Sequence, residues 1–270
     1  MNRNKTRRLI EAALMVALST VLGLFKLVEM PYGGSVTFAS MLPILILSYR
    51  HGVRLGLAGA FASALMEQLL GLKNLSYFTT WQSIVAIILL DYLIAFTLVG
   101  LGGIFRHRAK TQTGALLCGV ILVCLLRYLC HTISGATVWA GLSIPTEAAL
   151  LYSLGYNATY MIPEFLVLFT VSYYLGGQID FSTETPERMK RTQATDSKRI
   201  ALATSGLFLS GAFIADVALV APDLQDPESG SLTFSGLKSA PWVAVGIISG
   251  IALLCSLAVF LCALRLGKKD

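Results

Sequence analysis

The chain has 270 residues, 55% of them hydrophobic and 13% charged, and its apolar residues form long runs separated by short charged connectors. A water-soluble core of this size would not need such runs, so we expect a lipid bilayer to surround most of the chain. The net charge of +6 does not indicate nucleic-acid binding, because the basic residues lie in the connectors and are not interleaved with base-stacking aromatic residues.

The apolar runs are continuous over roughly 20 residues, whereas strands that cross lipid alternate in polarity. The sequence therefore predicts an all-α integral membrane protein. Its predicted helices are 8–27, 37–50, 53–71, 82–105, 113–134, 150–176, 199–220 and 240–264. The second is short enough to be partly re-entrant. No small-x-small cleavage site follows the first, so we expect it to be retained and not removed as a signal peptide.

The charged connectors predict the topology. Most lysines and arginines lie in alternate connectors, which places both termini in the cytoplasm of a multi-pass plasma-membrane protein. The polar segment 179–198 is interpreted as a cytoplasmic linker. It divides the chain into a six-helix domain, residues 1–178, and an additional transmembrane hairpin, residues 199–270, to which the sequence assigns no role.

Several motifs of catalysis are absent from the sequence. No G-x-x-x-x-G-K-[ST] phosphate loop occurs, so any ATP hydrolysis that drives transport must take place on another chain. Neither a G-x-S-x-G elbow nor an H-E-x-x-H helix is present, which disfavours an enzyme. The five cysteines lie in apolar runs without C-x-x-C spacing, so we expect free thiols and neither a metal nor a cofactor.

Ionisable residues inside the apolar runs need a partner, water or a function, because a charge at the bilayer centre costs at least about 2.5 kcal/mol. Five positions qualify: Glu67, Asp91, Arg127, His131 and Glu164. Arg127, His131 and Gly135 recur at four-residue steps and therefore share one helix face. One interpretation is an internal ion pair of Arg127 with Asp91 or Glu164, which would only cross-link helices.

A second interpretation is a binding site. Tyr92 adjoins Asp91 in the fourth run, and Tyr152 and Asn157 lie in the sixth, all toward the outer side. A carboxylate, a histidine, an amide and several aromatic rings can therefore converge from three helices. This set suits a flat, cationic, nitrogen-rich ring, because aromatic faces stack on it and the polar groups pair with its donors and acceptors.

At these residues the chain resembles the thiamine-binding S components (ThiT-like) of energy-coupling factor transporters. The resemblance covers residues 8–178 and is carried by four segments: MPYGGSVTFASMLPILILSYRHG (30–52), LLDYLIAFTLVGLGGIFR (89–106), RYLCHTISGATVW (127–139) and LYSLGYNATYMIP (151–163). It implies a six-helix bundle that binds thiamine near its outer face without catalysis. It also implies assembly with a transmembrane coupling protein and two cytoplasmic ATPases, which fits the missing phosphate loop.

The resemblance also implies the site residues. The positions that match the family's thiamine site are Asp91, Tyr92, Arg127, His131, Gly135, Trp139, Tyr152 and Asn157. Trp81 aligns with a further aromatic site position, although a tryptophan at a helix start is also typical of the membrane interface. The first outer loop reads Tyr32-Gly33-Gly34, with Gly34 in the site, where some members have a second stacking tryptophan. Asp91 and Arg127 replace the Glu and Lys of some relatives, so the affinity can differ.

In the first helix, Ala13 and Ala17 match the family's small-residue stripe that packs on the coupling protein, although the same spacing occurs in helices that pack within one subunit.

Other functions remain open. The chain could be an S component for a thiamine precursor or another vitamin. It could be a proton-coupled secondary transporter with Glu67, Asp91 and Glu164 as a relay. An intramembrane enzyme built on His131 and Asp91 lacks a paired nucleophile.

Overall fold

The computed structural model describes residues 3–30, 33–190, 193–224 and 234–266, and over these ranges it confirms the all-α membrane architecture. The helices are α1 (Arg3–Leu24), α2 (Leu42–His51), α3 (Val53–Leu70), α4 (Trp81–Phe105), α5 (Gln112–Trp139), α6 (Glu147–Gln178), α7 (Gln193–Val220) and α8 (Trp242–Leu266). Short 3-10 helices cover Leu72–Tyr77, Ala221–Leu224 and Phe234–Lys238.

Two short strands, β1 (Lys26–Glu29) and β2 (Ser35–Thr37), pair antiparallel between α1 and α2, with Val28 opposite Val36. A second pair, β3 (Ile179–Asp180) and β4 (Glu187–Arg188), follows α6. Within the described residues, the helices from α3 to α8 are long and apolar enough to cross a membrane. α1 has 22 residues but is charged as far as Glu11, and α2 has only 10 residues.

The second predicted helix, 37–50, begins later than expected, at Leu42. Residues 35–41 form β2 and an irregular, largely buried segment. Non-helical backbone is tolerated at membrane depth only where the protein satisfies its polar groups. The Thr37 N–H donates to the Glu164 carboxylate at 2.5 Å, and the Ser40 carbonyl accepts from the Ser19 hydroxyl at 2.7 Å. These bonds allow the chain to enter the bundle before α2 starts.

The second half of α4 is a 3-10 helix, Leu98–Phe105, whose backbone lies directly against α2. A Cβ atom at Gly103 would lie 2.3 Å from the Ser48 carbonyl oxygen, so only glycine fits at this contact. The Ser48 hydroxyl donates to the Gly100 carbonyl and accepts from the Gly103 N–H at 3.0 Å. This contact fixes α4, the helix that carries Asp91, in the bundle.

The chain divides into two compact units, Met1–Glu187 and Arg188–Asp270. In the second unit, α7 and α8 pack against each other. The Ser205 hydroxyl donates to the Ser256 carbonyl at 3.0 Å, and the Ser249 hydroxyl donates to Asp216 Oδ2 at 2.6 Å. Each of these polar groups therefore has a partner within the hairpin. α7 begins at Gln193, inside the segment that was interpreted as linker.

Candidate binding site

The candidate site lies in the first unit, where the second half of α5 meets α4 and α6. Asp91 occupies a π-helical segment of α4, Ile88–Ile94. A π-helical turn is wider than an α-helical turn and occurs often at functional sites. α5 also ends in a π-helical segment, Gly135–Trp139. Both helices therefore depart from regular geometry where the predicted site residues lie.

The Asp91 carboxylate is held by three side chains of α5. The Ser134 hydroxyl donates to Oδ2 at 2.8 Å, and the Trp139 indole Nε1–H donates to the same oxygen at 3.1 Å. His131 Nδ1 lies 2.9 Å from Oδ1. This arrangement supplies both oxygens of the partly buried carboxylate with hydrogen-bond partners.

The His131 ring has one nitrogen to spare. Its Nε2 atom is buried and has no hydrogen-bond partner among the described residues. The ring lies edge-on to Phe96 and Tyr160, with centroid distances of 6.4 and 6.1 Å. When Nδ1 carries the proton that faces Asp91, Nε2 is a hydrogen-bond acceptor enclosed by aromatic rings.

Trp139 belongs to an aromatic wall that the sequence did not predict in full. Its ring centroid lies 4.7 Å from Phe78 in an edge-to-face contact and 5.8 Å from Tyr77. Both rings come from the segment between α3 and α4, which contained no signal beyond its aromatic content. The wall offers faces on which a flat or cationic ring can stack.

Arg127 forms no ion pair with Asp91 or Glu164 in the part of the chain that the structure describes, so the ion-pair interpretation is wrong. Its guanidinium is buried, lies 4.2 Å from the Phe96 ring centroid and donates to the Met41 sulfur at 2.9 Å. Its Nε atom has no partner among the described residues. Asp91 instead takes the neutral donors of α5, and Glu164 takes Thr37.

The α6 side of the site is built around Asn157. Its amide nitrogen donates to the Ser153 carbonyl at 2.8 Å, and the Tyr160 hydroxyl donates to its amide oxygen. Gly135 allows this close contact between α5 and α6, because a Cβ atom there would lie 2.2 Å from the Ser153 hydroxyl oxygen. Tyr152 stacks on Tyr156, with centroids 6.2 Å apart.

Two predicted site residues have other surroundings. Trp81 is 70% exposed, as expected for a tryptophan at the membrane interface. The Tyr92 hydroxyl accepts from the Asn74 amide at 2.9 Å and donates to the Gly71 carbonyl at 3.3 Å. Tyr92 therefore ties α4 to the segment after α3. The predicted loop residue Tyr32 lies outside the described residues.

The first loop is tied to α6 by three residues spaced one helical turn apart, which we call the α6 ladder: Tyr156, Tyr160 and Glu164. The Tyr156 hydroxyl donates to the Gly33 carbonyl at 2.8 Å. The Tyr160 ring packs on Gly34, where a Cβ atom would lie 2.6 Å from it. Glu164, 2% exposed, accepts from the Thr37 N–H at 2.5 Å and the Thr37 hydroxyl at 2.7 Å. The sequence analysis did not single out Tyr156 or Tyr160, although their four-residue spacing from Glu164 indicates a shared helix face.

A second tie holds the same loop from its exposed side. Glu29 of β1 forms ion pairs with Lys26 and Lys73. Hydrogen bonds from Lys73 and Lys26 lower the pKa of the Glu29 carboxyl. A lowered carboxyl pKa contributes stability above the unfolded-state pKa and loses it as the pH falls through the folded-state value. This tie is therefore fully present at neutral pH.

Ala13 and Ala17 both lie on the exposed side of α1, between the exposed side chains of Leu14 and Leu18. Ala12 and Ser19 face the interior. The small-residue stripe is therefore not used for packing within the first unit.

Together, the fold and the site define a multi-span membrane protein in which a partly buried carboxylate of α4, a histidine of α5 and an aromatic wall converge. Ionisable side chains placed in this way within membrane-spanning helices are typical of substrate and ion pathways in transporters.

The chain belongs to the thiamine transporter family. The family model described as thiamine transporter protein (Thia_YuaJ) matches residues 9–180. The "Thiamine transporter ThiT" of Bacillus subtilis (strain 168) is 37% identical over 179 residues, which are 62% of this chain and 89% of that protein. The family match ends shortly after α6, so α7 and α8 lie outside it.

We predict that Glu164→Gln loosens the first loop. The amide of glutamine accepts less strongly than a carboxylate, and its NH₂ group cannot accept from the Thr37 N–H. Losing the charged acceptor lowers the free energy of local opening by an amount that makes hydrogen exchange at Ser35–Thr37 about tenfold faster. The exchange is measured by mass spectrometry. Tyr174→Phe, near the other end of α6, is the matched control and should leave this exchange unchanged. Equal exchange in Glu164→Gln and the unmodified protein would contradict the role of the ladder.

Proposed function

We propose that the chain is the thiamine-binding subunit of an energy-coupled vitamin importer. The observation that carries this proposal is the Asp91 carboxylate, held by Ser134, Trp139 and His131 beside aromatic rings. Thiamine combines a flat aminopyrimidine with a thiazolium ring that is permanently positive. The carboxylate compensates positive charge, the rings provide stacking faces, and the free His131 Nε2 can accept from an amino group.

The charge balance favours a neutral His131 in the bound state. A protonated imidazole would repel the thiazolium, whereas a neutral ring with its proton on Nδ1 keeps its bond to Asp91. Asn157 adds an amide that reads the donors and acceptors of a pyrimidine. Arg127 lies on the same helix face as His131. Its guanidinium stacks on the Phe96 ring, so this ring interacts favourably with its positive charge.

The capture step uses the first loop as a cover. In this proposal thiamine enters from outside, and the loop around Gly34 closes over it while held by the α6 ladder.

The relay of a proton-coupled transporter is less well supported, because Asp91 and Glu164 have separate partners. Glu164 is used to hold Thr37.

We predict that Asp91→Asn weakens thiamine binding by about 10- to 100-fold, because it removes the carboxylate charge that compensates the thiazolium in the proposed site. The measurement is a titration of intrinsic tryptophan fluorescence in detergent. Asp216→Asn, a carboxylate-to-amide change in the hairpin outside the family match, is the matched control and should bind thiamine normally. Competition by a thiamine precursor or another vitamin at lower concentration than thiamine would instead favour a different ligand.

Inward delivery is proposed to need a transmembrane coupling protein and two ATPases on other chains. The chain contains no phosphate loop, and α1 presents Ala13 and Ala17 on its exposed side. Small residues at such a face let another helix approach closely. The distribution of basic residues among the connectors favours a cytoplasmic position for both termini, on the side where the ATPases would lie.

We predict that the double change Ala13→Leu and Ala17→Leu abolishes thiamine uptake by cells while thiamine binding by the purified protein is unchanged. Bulky side chains would prevent close approach of a partner helix. Ala58→Leu, at an exposed position of α3, is the matched control and should retain uptake. Uptake that survives the double change, or that a protonophore stops at constant ATP, would contradict the energy-coupled mechanism.

A further inference from the structure

A second polar cleft lies at the opposite end of the first unit from the thiamine site. It has a volume of about 310 Å³ and is bounded by the first turns of α1, the end of α2, the end of α4 and the segment after α6. Arginines from three of these elements line it: Arg7, Arg8, Arg50 and Arg106. The family's thiamine site does not account for this cleft.

Arg50 gives the cleft a fixed wall. Its side chain is only 4% exposed, and all of its N–H-bearing nitrogens have acceptors. It pairs with Glu11 of α1 and donates to the carbonyls of Phe181, Thr183 and Glu184. Because the donors of this guanidinium are already bonded to acceptors of the protein, Arg50 connects the walls of the cleft and is not available to a ligand.

The remaining charges leave the cleft positive. Glu11 compensates Arg50, and the exposed Glu184 compensates Arg7. Arg8 is exposed and has no partner among the described residues. Arg106 donates to the Arg50 carbonyl and lies 5.7 Å from the Tyr49 ring centroid, but no carboxylate among the described residues pairs with it. Two arginine charges are therefore uncompensated at a preformed cleft.

The end of the bundle at which the cleft opens determines the ligand it can meet. The topology proposed from the basic connectors places this end at the cytoplasmic membrane surface. Directly after Arg8, α1 exposes Leu9, Ile10 and Leu14 to the surroundings of the bundle. The phosphate group of a phospholipid could therefore contact the arginines of the cleft while its hydrocarbon chains contact the apolar surface of α1.

We propose that this cleft binds an anionic phosphate group, with Arg8 and Arg106 as its ligands. The group belongs to a phospholipid headgroup of the inner leaflet or to a free phosphate compound. Guanidinium groups match phosphate oxygens in charge and geometry. Glu11 and Glu184 also line the cleft, and they set its selectivity by disfavouring anions that do not reach the uncompensated arginines.

The test is native mass spectrometry of the full chain, purified, delipidated and mixed with equal amounts of phosphatidylglycerol and phosphatidylcholine. We expect preferential phosphatidylglycerol adducts, reduced about fivefold by Arg8→Gln and about fivefold by Arg106→Gln, since each charge near an anionic surface contributes roughly that factor. The matched controls are Lys5→Gln and Arg108→Gln, which remove neighbouring exposed charges that do not line the cleft.

Two further arms complete the test. Inorganic phosphate at millimolar concentration should displace the lipid if the source is a free anion, and should leave it bound if the headgroup is held together with its chains. Thiamine titration of each variant shows that the fold is intact and separates this inference from the proposed function. Equal retention of both lipids, or equal losses in the cleft variants and their controls, would overturn the proposal.

Discussion

The Asp91 carboxylate lies, largely enclosed, on a helix apolar enough to cross a membrane, and its need for partners is the constraint on which the site depends. A charge without partners at the centre of a bilayer costs at least about 2.5 kcal/mol, so a carboxylate within a membrane span needs partners from the bundle. Ser134, His131 and Trp139 supply them from a single helix. Trp139 lies in the π-helical segment that ends α5, and Asp91 itself lies in the π-helical segment of α4. The departures from α-helical geometry thus coincide with the residues of the site.

The same requirement explains the unusual first loop. Residues 35–41 bring unpaired backbone groups into the bundle, and Glu164 and Ser19 satisfy them. Because Tyr156 and Tyr160 lie on the face of α6 that carries Glu164, the loop and the aromatic part of the site share one support. A movement of the loop therefore changes the surroundings of Tyr160, which contacts both His131 and Asn157. The ladder thus links the first loop to the residues of the candidate site.

The sequence predicted the helices because apolar runs long enough to span a bilayer leave little choice of structure. The spacing of Arg127, His131 and Gly135 predicted their shared face correctly. The late start of α2 was not predicted, because residues 37–41 are apolar enough to be assigned to the helix. Their non-helical backbone is stabilised by hydrogen bonds to Glu164 and Ser19, which are distant in sequence. Tyr77, Phe78 and Ser134 were missed because aromatic and hydroxyl residues are common in membrane chains and carry no local signal. Tyr92 and Trp81 were predicted as site residues, but Tyr92 bonds to the segment after α3 and Trp81 is exposed. The contacts of these side chains depend on residues distant in sequence, which the local pattern does not reveal.

If this chain holds thiamine as proposed, thiamine should remain bound to it during purification. The full chain is purified in mild detergent from cells grown with thiamine, its ligand is extracted with acid, and the extract is identified by mass. We expect thiamine at close to one molecule per chain, and no thiamine when the Asp91→Asn variant is treated in the same way. A different vitamin at that stoichiometry, or equal thiamine in both preparations, would contradict the account.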